Sequence, residues 1–331
     1  MPDLASADEP STVPFAGFWR RFAAFLVDSV ILGLIGYALG LALFDVFVRL
    51  GPWGRCVGFV VALAYFVPQE SGRGGGQSLG KRLLGIRVVD AQGLPLGPGR
   101  GAARFVVFGV PYFLNGAALP MAVATFAGGF ALALVALGGM LALAYLLVFN
   151  RRTRQSLHDL AVGAFVVRVR RGARDARAVP GPVRMWGGHR AIATALVALA
   201  GATPLMFPAL MHIPVFAGLQ AVYLRVSAQP EVQSANVFES VGRVYGTQSV
   251  GVQHELRIQA TIARPTDDPV PLSTRLAGIA LQAYPDSAHD DRIAVILAYG
   301  FDIGIASSWR ANEIELAPEQ WADRVAAGVG R

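Results

Sequence analysis

Charged residues beside the first apolar segment are the side chains that could do chemistry in this sequence. Arg21 and Asp28 lie seven residues apart on one helical face, and the small Ala24 between them leaves room for another helix. Seven residues rise about 10 Å, so an Arg21 at the membrane interface places Asp28 inside the hydrocarbon. A charged side chain there costs roughly 2.5–3.5 kcal/mol on insertion scales. Asp28 is therefore either an ion or proton site, or a packing residue neutralised by an arginine such as Arg21 or Arg104.

Long apolar segments surround these charges and predict a helical membrane protein. Hydrophobic residues make up 54% of the 331 residues and charged residues only 15%, against roughly 25% charged in soluble domains. Positions 105–149 contain no charged residue. These 45 positions are enough for two membrane crossings. We predict about five transmembrane helices, over residues 18–47 and 51–67, two within 105–149, and one over 191–219.

The predicted fold is mainly α, a polytopic transmembrane helical bundle followed by a small soluble α+β domain. Alternating apolar residues predict a strand in 250–263, and residues 292–306 predict one or two buried strands. Helices are predicted over 272–284 and 321–327. The predicted domains are a disordered N terminus (1–16), a four-helix transmembrane domain (17–170), a basic linker (171–190), a fifth transmembrane helix (191–219) and the α+β domain (220–331).

Basic residues indicate how the chain is oriented in the membrane. Residues 1–217 carry a net charge of +11 and residues 218–331 a net charge of −4. Most of the arginines lie in the segments 71–104 and 150–190, which follow the second and fourth predicted helices. Lys and Arg accumulate in cytoplasmic loops. We therefore expect a cytoplasmic N terminus and an extracytoplasmic C-terminal domain.

An internal repeat relates the two helical hairpins. Residues 77–89 and 155–167 are identical at six of 13 positions with an offset of 78. The two segments are predicted to occupy similar positions after their hairpins, and the alignment sets Lys81 opposite Asp159, where the two charges could pair. Gly36 and Gly40 form a small-xxx-small pair in the first helix and are predicted to pack closely against another helix.

Three segments, 18–28, 76–90 and 151–159, together resemble the RDD family of bacterial membrane proteins. The resemblance covers about residues 15–170 and implies a multi-pass domain in the bacterial inner membrane. It places the family's arginine at Arg21 and its first aspartate at Asp28. Asp159 is our choice for the second aspartate, with Asp90 as the alternative. For function, the resemblance implies transport, with sodium–proton exchange suggested for some members.

Other motifs point to no enzyme, cofactor or nucleic acid. Residues 75–81 match most of a phosphate-binding loop, but Arg82 stands where Ser or Thr would bind magnesium, and a membrane helix precedes the loop. Lys81 and Arg82 are instead predicted to contact lipid phosphates at the interface. His158-Asp159 lacks a nucleophile beside it. The remaining histidines considered, His212, His254 and His289, have no metal-ligand spacing, so no metal site is predicted.

Two functions remain open for the sequence. The first is transport of a small ion or solute, such as a cation or proton, through a site that uses the charges Arg21, Asp28 and Asp159. The alternative is a non-transporting membrane anchor or sensor that acts through its extracytoplasmic domain, whose protein partner is unknown. Convergence of polar groups from several helices near the bilayer midplane would favour transport. The third and fourth predicted helices offer few polar residues, which weakens that hypothesis; these residues are Tyr112, Asn115, Thr125 and Tyr145.

Overall fold

The computed structural model describes residues 15–117, 126–169, 184–245 and 250–330. As predicted, it consists of a helical bundle followed by a domain containing a sheet. Among the described residues, four helical segments are long and apolar enough to cross a membrane: Phe18–Ala42, Phe44–Glu70, Ala127–Phe149 and Gly187–Leu210. The first of the two crossings predicted within 105–149 corresponds to a shorter helix of 17 residues, Pro98–Leu114.

The first part of the chain alternates long helices with short helix–strand segments. Its elements are α1 (Phe18–Ala42), α2 (Phe44–Leu50), α3 (Gly54–Glu70), α4 (Leu79–Leu83), β1 (Ile86–Val89), α5 (Pro98–Leu114), α6 (Phe126–Leu132), α7 (Gly139–Phe149), α8 (Leu157–Val162) and β2 (Phe165–Arg168). A π-helical turn, Ala133–Gly138, joins α6 to α7, which makes them one continuous apolar rod.

The ordered fold begins before the predicted start of the membrane domain. Phe15 forms a bridge with Val167, and the backbone of Ala16 donates to the carbonyl of Val166 over 2.8 Å. These two residues are therefore part of the fold, although the sequence placed them in a disordered N terminus. Residues 1–14 and most of the predicted basic linker lie outside the described residues.

The two repeat segments adopt the same local structure. Each consists of a short helix (α4 or α8), a glycine in the left-handed conformation (Gly85 or Gly163, both at φ 62°) and a strand. Gln77 donates to the carbonyl of Ile86, nine residues later, over 2.8 Å, and Gln155 donates to Ala164 over the same span and distance. The two strands, β1 and β2, pair antiparallel. The repeated sequence therefore encodes a repeated helix–strand unit whose two copies meet.

Prolines interrupt the last predicted transmembrane helix. The segment is divided into α9 (Gly187–Ala202), α10 (Phe207–Leu210) and α11 (Pro214–Ser227). Pro214 begins α11, where the missing N–H of a proline costs no helical hydrogen bond. Val222 and Val226 of α11 are buried against the sheet. The prediction of one helix through residue 219 was therefore wrong, because the last residues belong to the C-terminal domain.

The C-terminal domain is a four-stranded sheet with helices on one face. Its strands are β3 (Val232–Tyr245), β4 (Val250–Ile262), β5 (Arg292–Asp302) and β6 (Ser307–Leu316), and its helices are α12 (Val270–Ala283) and α13 (Pro318–Ala326). The strand order follows the sequence, and only β4 and β5 are parallel, because α12 forms the crossover between them. Leu256, Ile258 and Leu276 are fully buried between sheet and helices.

The turn between β5 and β6 inserts into the helical bundle. Gly36 and Gly40 of α1 leave space for Ile305 and Phe301 of this hairpin. The two glycines were predicted to pack against another helix, but they accommodate a β-hairpin. The hairpin contacts the C-terminal half of α1 and the N-terminal half of α3, which form the end of the bundle opposite to Arg21.

An ion pair fixes the same contact. Arg55 of α3 donates to Asp302 of the hairpin over 2.7 and 3.1 Å, and to the carbonyls of Phe113 and Asn115 over 3.0 and 2.6 Å. Asp302 and the two carbonyls compensate the charge that Arg55 places in the apolar helix α3. The guanidinium therefore links α3, α5 and the C-terminal domain.

Gly58→Ala tests the docking of the hairpin. A Cβ at Gly58 would lie 1.7 Å from the carbonyl oxygen of Ile303, so either the hairpin or α3 must move. Overpacking of this kind costs about 1–3 kcal/mol, and we expect a lower midpoint of thermal unfolding in detergent. Gly33→Ala is the matched control, because its Cβ would meet only the carbonyl of Ile305 at 3.7 Å. Equal midpoints for the two variants would contradict the docking.

Candidate functional site

Asp28 is buried in α1 and is held by uncharged donors. Its carboxylate accepts hydrogen bonds from the Tyr65 hydroxyl (2.7 Å), the Ser78 hydroxyl (2.6 Å) and the backbone N–H of Gly80 (2.8 Å). One alternative from the sequence was that an arginine such as Arg21 or Arg104 neutralises Asp28, but among the bonds of the described residues no arginine contacts it. The carboxylate is thereby kept in place without a directly bonded cation.

The segment that reaches Asp28 is the one that resembles a phosphate-binding loop. Ser78 is the N-cap of α4, and Gly80 lies so close to α1 that a Cβ there would come within 2.2 Å of the carbonyl of Ala24. The small Ala24 and Gly80 therefore allow the short helix to lie directly on α1. In this loop the amide that could bind a phosphate binds the Asp28 carboxylate instead.

Asp159 joins the two helical hairpins. It is fully buried and accepts from Arg21 of α1 over 2.6 Å and from Arg104 of α5 over 2.7 and 2.9 Å. It also accepts from the backbone N–H of Ser156, the N-cap of α8, over 3.1 Å. Asp90, the alternative choice for the second aspartate of the family, instead accepts hydrogen bonds from backbone N–H groups of its own turn. The structure therefore brings together Arg21 and Asp159, as the sequence suggests.

Arg104 extends this cluster to the end of α3. Its guanidinium also donates to Glu70, and Glu70 accepts from Lys81 as well. Lys81 lies over the ring of Phe66, 5.5 Å from its centroid. The predicted pair of Lys81 with Asp159 is not formed, because Glu70 and Arg104 lie between them. Lys81 thus points into the protein, whereas Arg82 is exposed as a lipid-contacting residue requires.

His158 is the uncharged member of the cluster. Burial lowers the pKa of His158 to about 3, and the nearby Arg104 and Arg21 act in the same direction against the opposing effect of Asp159. Burial alone would raise the pKa of Asp159, but the positive charges of Arg21 and Arg104 outweigh it and hold the pKa below its usual range. The cluster therefore combines a neutral imidazole with an ionised carboxylate at neutral pH.

A cavity of about 280 Å³ adjoins the cluster. Its walls include six charged or imidazole side chains from five helices, together with an apolar lining that includes Phe25, Phe105, Phe108 and Met140. The six are Arg21, Asp28, Glu70, Lys81, Arg104 and His158. The cavity connects the membrane-embedded Asp28 to the ion-paired end of the bundle. Charged groups from several helices therefore converge at this cavity.

Sequence reasoning missed three of the polar partners. Glu70 lies at the end of an apolar helix. A charged residue is expected there, at the membrane interface, so its position alone does not indicate a buried ion pair. Tyr65 sits one turn earlier, and Ser78 follows a glycine-rich run. The spacing of Tyr65 and Glu70, five residues, does not place them on one helical face, so helical periodicity alone offered no signal.

Residues 15–163 match the model of the RDD family. No curated protein and no solved structure matches the chain. The match covers α1 to α8 and therefore contains every residue of the charge cluster. Together with the apolar helices, it makes this chain an integral membrane protein.

Arg104→Gln tests whether the cluster holds the bundle together. The change leaves Glu70 and Asp159 buried with one charged partner fewer each, and breaking a buried ion pair costs roughly 3–5 kcal/mol. We expect a clear loss of thermal stability in detergent, read from the unfolding midpoint. Arg20→Gln, which removes an exposed arginine from the same end of the bundle, should leave the midpoint unchanged. Equal stability of the two variants would contradict this account.

Proposed function

We propose that this protein, whose residues 15–163 match the RDD family, transports a small cation or a proton through the cavity beside Asp28. The supporting observation is that one cavity holds Asp28, Glu70 and Lys81, which come from different helices. A buried carboxylate within a membrane helix is a frequent element of ion and proton pathways. The proposal includes no catalytic step, cofactor or nucleic acid.

The charges around the cavity are balanced, which limits what can enter. Arg21, Lys81 and Arg104 provide three positive charges, and three carboxylates balance them: Asp28, Glu70 and Asp159. An added anion would meet no unpaired cation among these six groups. An added cation can replace Lys81 at Glu70 if the ammonium swings away, because Lys81 sits on the short helix α4. A cation or proton is therefore the substrate class that this arrangement favours.

Asp28 is the second carboxylate that a transported cation would meet. The Tyr65 and Ser78 hydroxyls that bind it can rotate, so their oxygens can turn to a cation while their protons turn away. The backbone donor Gly80 cannot do this and would keep α4 attached to α1. We expect the cation to pass between Glu70 and Asp28 along the cavity wall, with the N-terminal end of α1 towards the cytoplasm.

The alternative is a sensor or anchor that acts through the C-terminal domain. One observation favours it: the β5–β6 hairpin packs against Gly36 and Gly40, on the helix that carries Asp28. A ligand of the C-terminal domain that shifts this hairpin would shift α1. The two functions are compatible if the C-terminal domain regulates transport. If the protein transports no ion, only the sensor or anchor function remains.

Asp28→Asn distinguishes the two. The change removes the charge while keeping size and one acceptor oxygen. In proteoliposomes with a sodium or pH gradient, we expect wild-type protein to carry flux and the variant to fall to the level of protein-free vesicles. Its unfolding midpoint and yield should stay close to those of the wild type. Proton movement is read with an entrapped pH-sensitive dye.

Asp45→Asn is the matched control, because Asp45 is an exposed residue of α2 outside the cavity. It should retain wild-type flux. Full flux in the folded Asp28→Asn protein would exclude Asp28 as the carrier site and leave it a packing role. Absence of flux in the wild type under every gradient tested would favour the sensor or anchor.

A further inference from the structure

Three side chains with metal-binding atoms meet at one edge of the C-terminal domain. They are Glu239 of β3, His254 of β4 and Asp290, which precedes β5. One ligand atom from each lies within 4.8 Å of the other two. The residues are separated by 15 and 36 positions in sequence, which is why the spacing of His254 predicted no metal site. Only the fold brings them together.

The backbone holds these three residues in place. The antiparallel register pairs Glu239 with Leu256 and Val241 with His254, so Glu239 and His254 share the face of the sheet that α12 covers. Asp291 and His254 exchange two hydrogen bonds: the N–H of Asp291 donates to the His254 carbonyl over 2.9 Å, and the N–H of His254 donates to the Asp291 carboxylate over 2.7 Å. Asp290 is thereby fixed beside the imidazole.

One oxygen of this cluster lacks a hydrogen-bond partner. Within the described part of the chain, the Oδ2 atom of Asp290 is buried and has no hydrogen-bond partner. Glu239 and His254 are 3.5 Å apart, longer than a good hydrogen bond. Burial and the charge of Glu239 raise the pKa of Asp290 to about 6. The carboxylates of Glu239 and Asp290 therefore lie close together, and one Asp290 oxygen has no hydrogen-bond partner.

We propose that Glu239, His254 and Asp290 bind a divalent transition-metal ion of the Zn²⁺ type. One imidazole nitrogen and two carboxylate oxygens form a mixed donor set that suits zinc, with water in a fourth position. Two negative charges balance the ion, and the buried oxygen of Asp290 gains a partner. The side chain of His254 is 48% exposed, which leaves a path for the ion from solvent.

A second acidic cluster on the same sheet is a useful comparison, because its charges are compensated by arginines. Glu255, Glu313 and Glu315 also lie within reach of one ion. Each of them is already paired with an arginine, however: Arg257 bonds Glu255 and Glu313, and Arg292 bonds Glu315. Their charges are therefore compensated. Among the ion pairs of the described residues, no lysine or arginine bonds Glu239 or Asp290.

The proposed site lies next to the segment that leads to the membrane. Burial and the nearby charge of Glu239 raise the pKa of the Tyr284 hydroxyl. The Tyr284 ring packs on Gly218 of α11, where an added Cβ would come within 2.1 Å of the ring. A bound ion would therefore join β3, β4 and the turn before β5 directly beside α11. The metal site stands independently of the proposed transport activity.

Zinc titration of the full-length protein tests the site. Protein purified in detergent without a histidine tag is stripped with EDTA, exchanged into chelator-free buffer and titrated with Zn²⁺ by calorimetry. We expect one ion per chain, undisturbed by excess Mg²⁺. His254→Gln and Asp290→Asn should each weaken binding by at least about 100-fold, because even partners outside the ligand shell contribute roughly 10–100-fold.

His289→Gln is the matched control, since this exposed histidine lies next to Asp290 but outside the ligand set. It should bind Zn²⁺ as the wild type does. Circular dichroism checks that each variant is folded, and His254→Gln keeps the test valid if Asp290→Asn is unstable, because His254 is half-exposed. Wild-type affinity in His254→Gln, or no zinc binding by the wild-type protein, would overturn the proposal.

Discussion

The pairing of Arg104 with Glu70 and Asp159 is the interaction on which the membrane domain depends. A charged side chain removed from water is tolerated only when its partners compensate the lost hydration. Arg104 is 7% exposed, and its two carboxylates belong to the end of α3 and to α8. Each charge is acceptable only because the others are present. Electrostatic attraction therefore holds the ends of the two helical hairpins together. Apolar packing alone would give little preference for this arrangement, because lipid is as apolar as the helices.

The repeat gives this interaction its framework. Each copy follows a hairpin with a helix N-capped by serine, a left-handed glycine and a short strand, and the two strands pair. The copies have diverged in charge, because Lys81 stands in one where Asp159 stands in the other. The first copy turns its serine and Gly80 to Asp28, whereas the second supplies the acceptor for Arg21 and Arg104. One local fold thereby serves two purposes in the same cluster.

Much of this architecture could be predicted from the sequence, since it follows from local patterns. Hydropathy located the apolar helices, and alternation located β4. Residues 292–306 were predicted as buried strands, and the motif placed Arg21 and Asp28, with Asp159 preferred over Asp90. What remained hidden depends on contacts between distant segments. Nothing local marks Glu70 as the partner of Arg104, or indicates that Gly36 and Gly40 receive a β-hairpin. The helix predicted over 191–219 was too long because its last apolar residues belong to α11 and face the sheet. Apolar residues are buried in a protein core as well as in lipid, so hydropathy does not distinguish the two.

Chemical blocking of the cavity is the most direct test of the central claim, that the space beside Asp28 is the transport pathway. In a Cys56→Ser background, Ala144→Cys places a thiol on the cavity wall, while Leu141→Cys places one on the same helix outside the cavity lining. Both proteins are labelled to completion with a bulky maleimide and assayed for flux in proteoliposomes. The account predicts that labelling abolishes flux in the Ala144→Cys protein and leaves that of the Leu141→Cys protein unchanged. Unaltered flux in the fully labelled Ala144→Cys protein would contradict it.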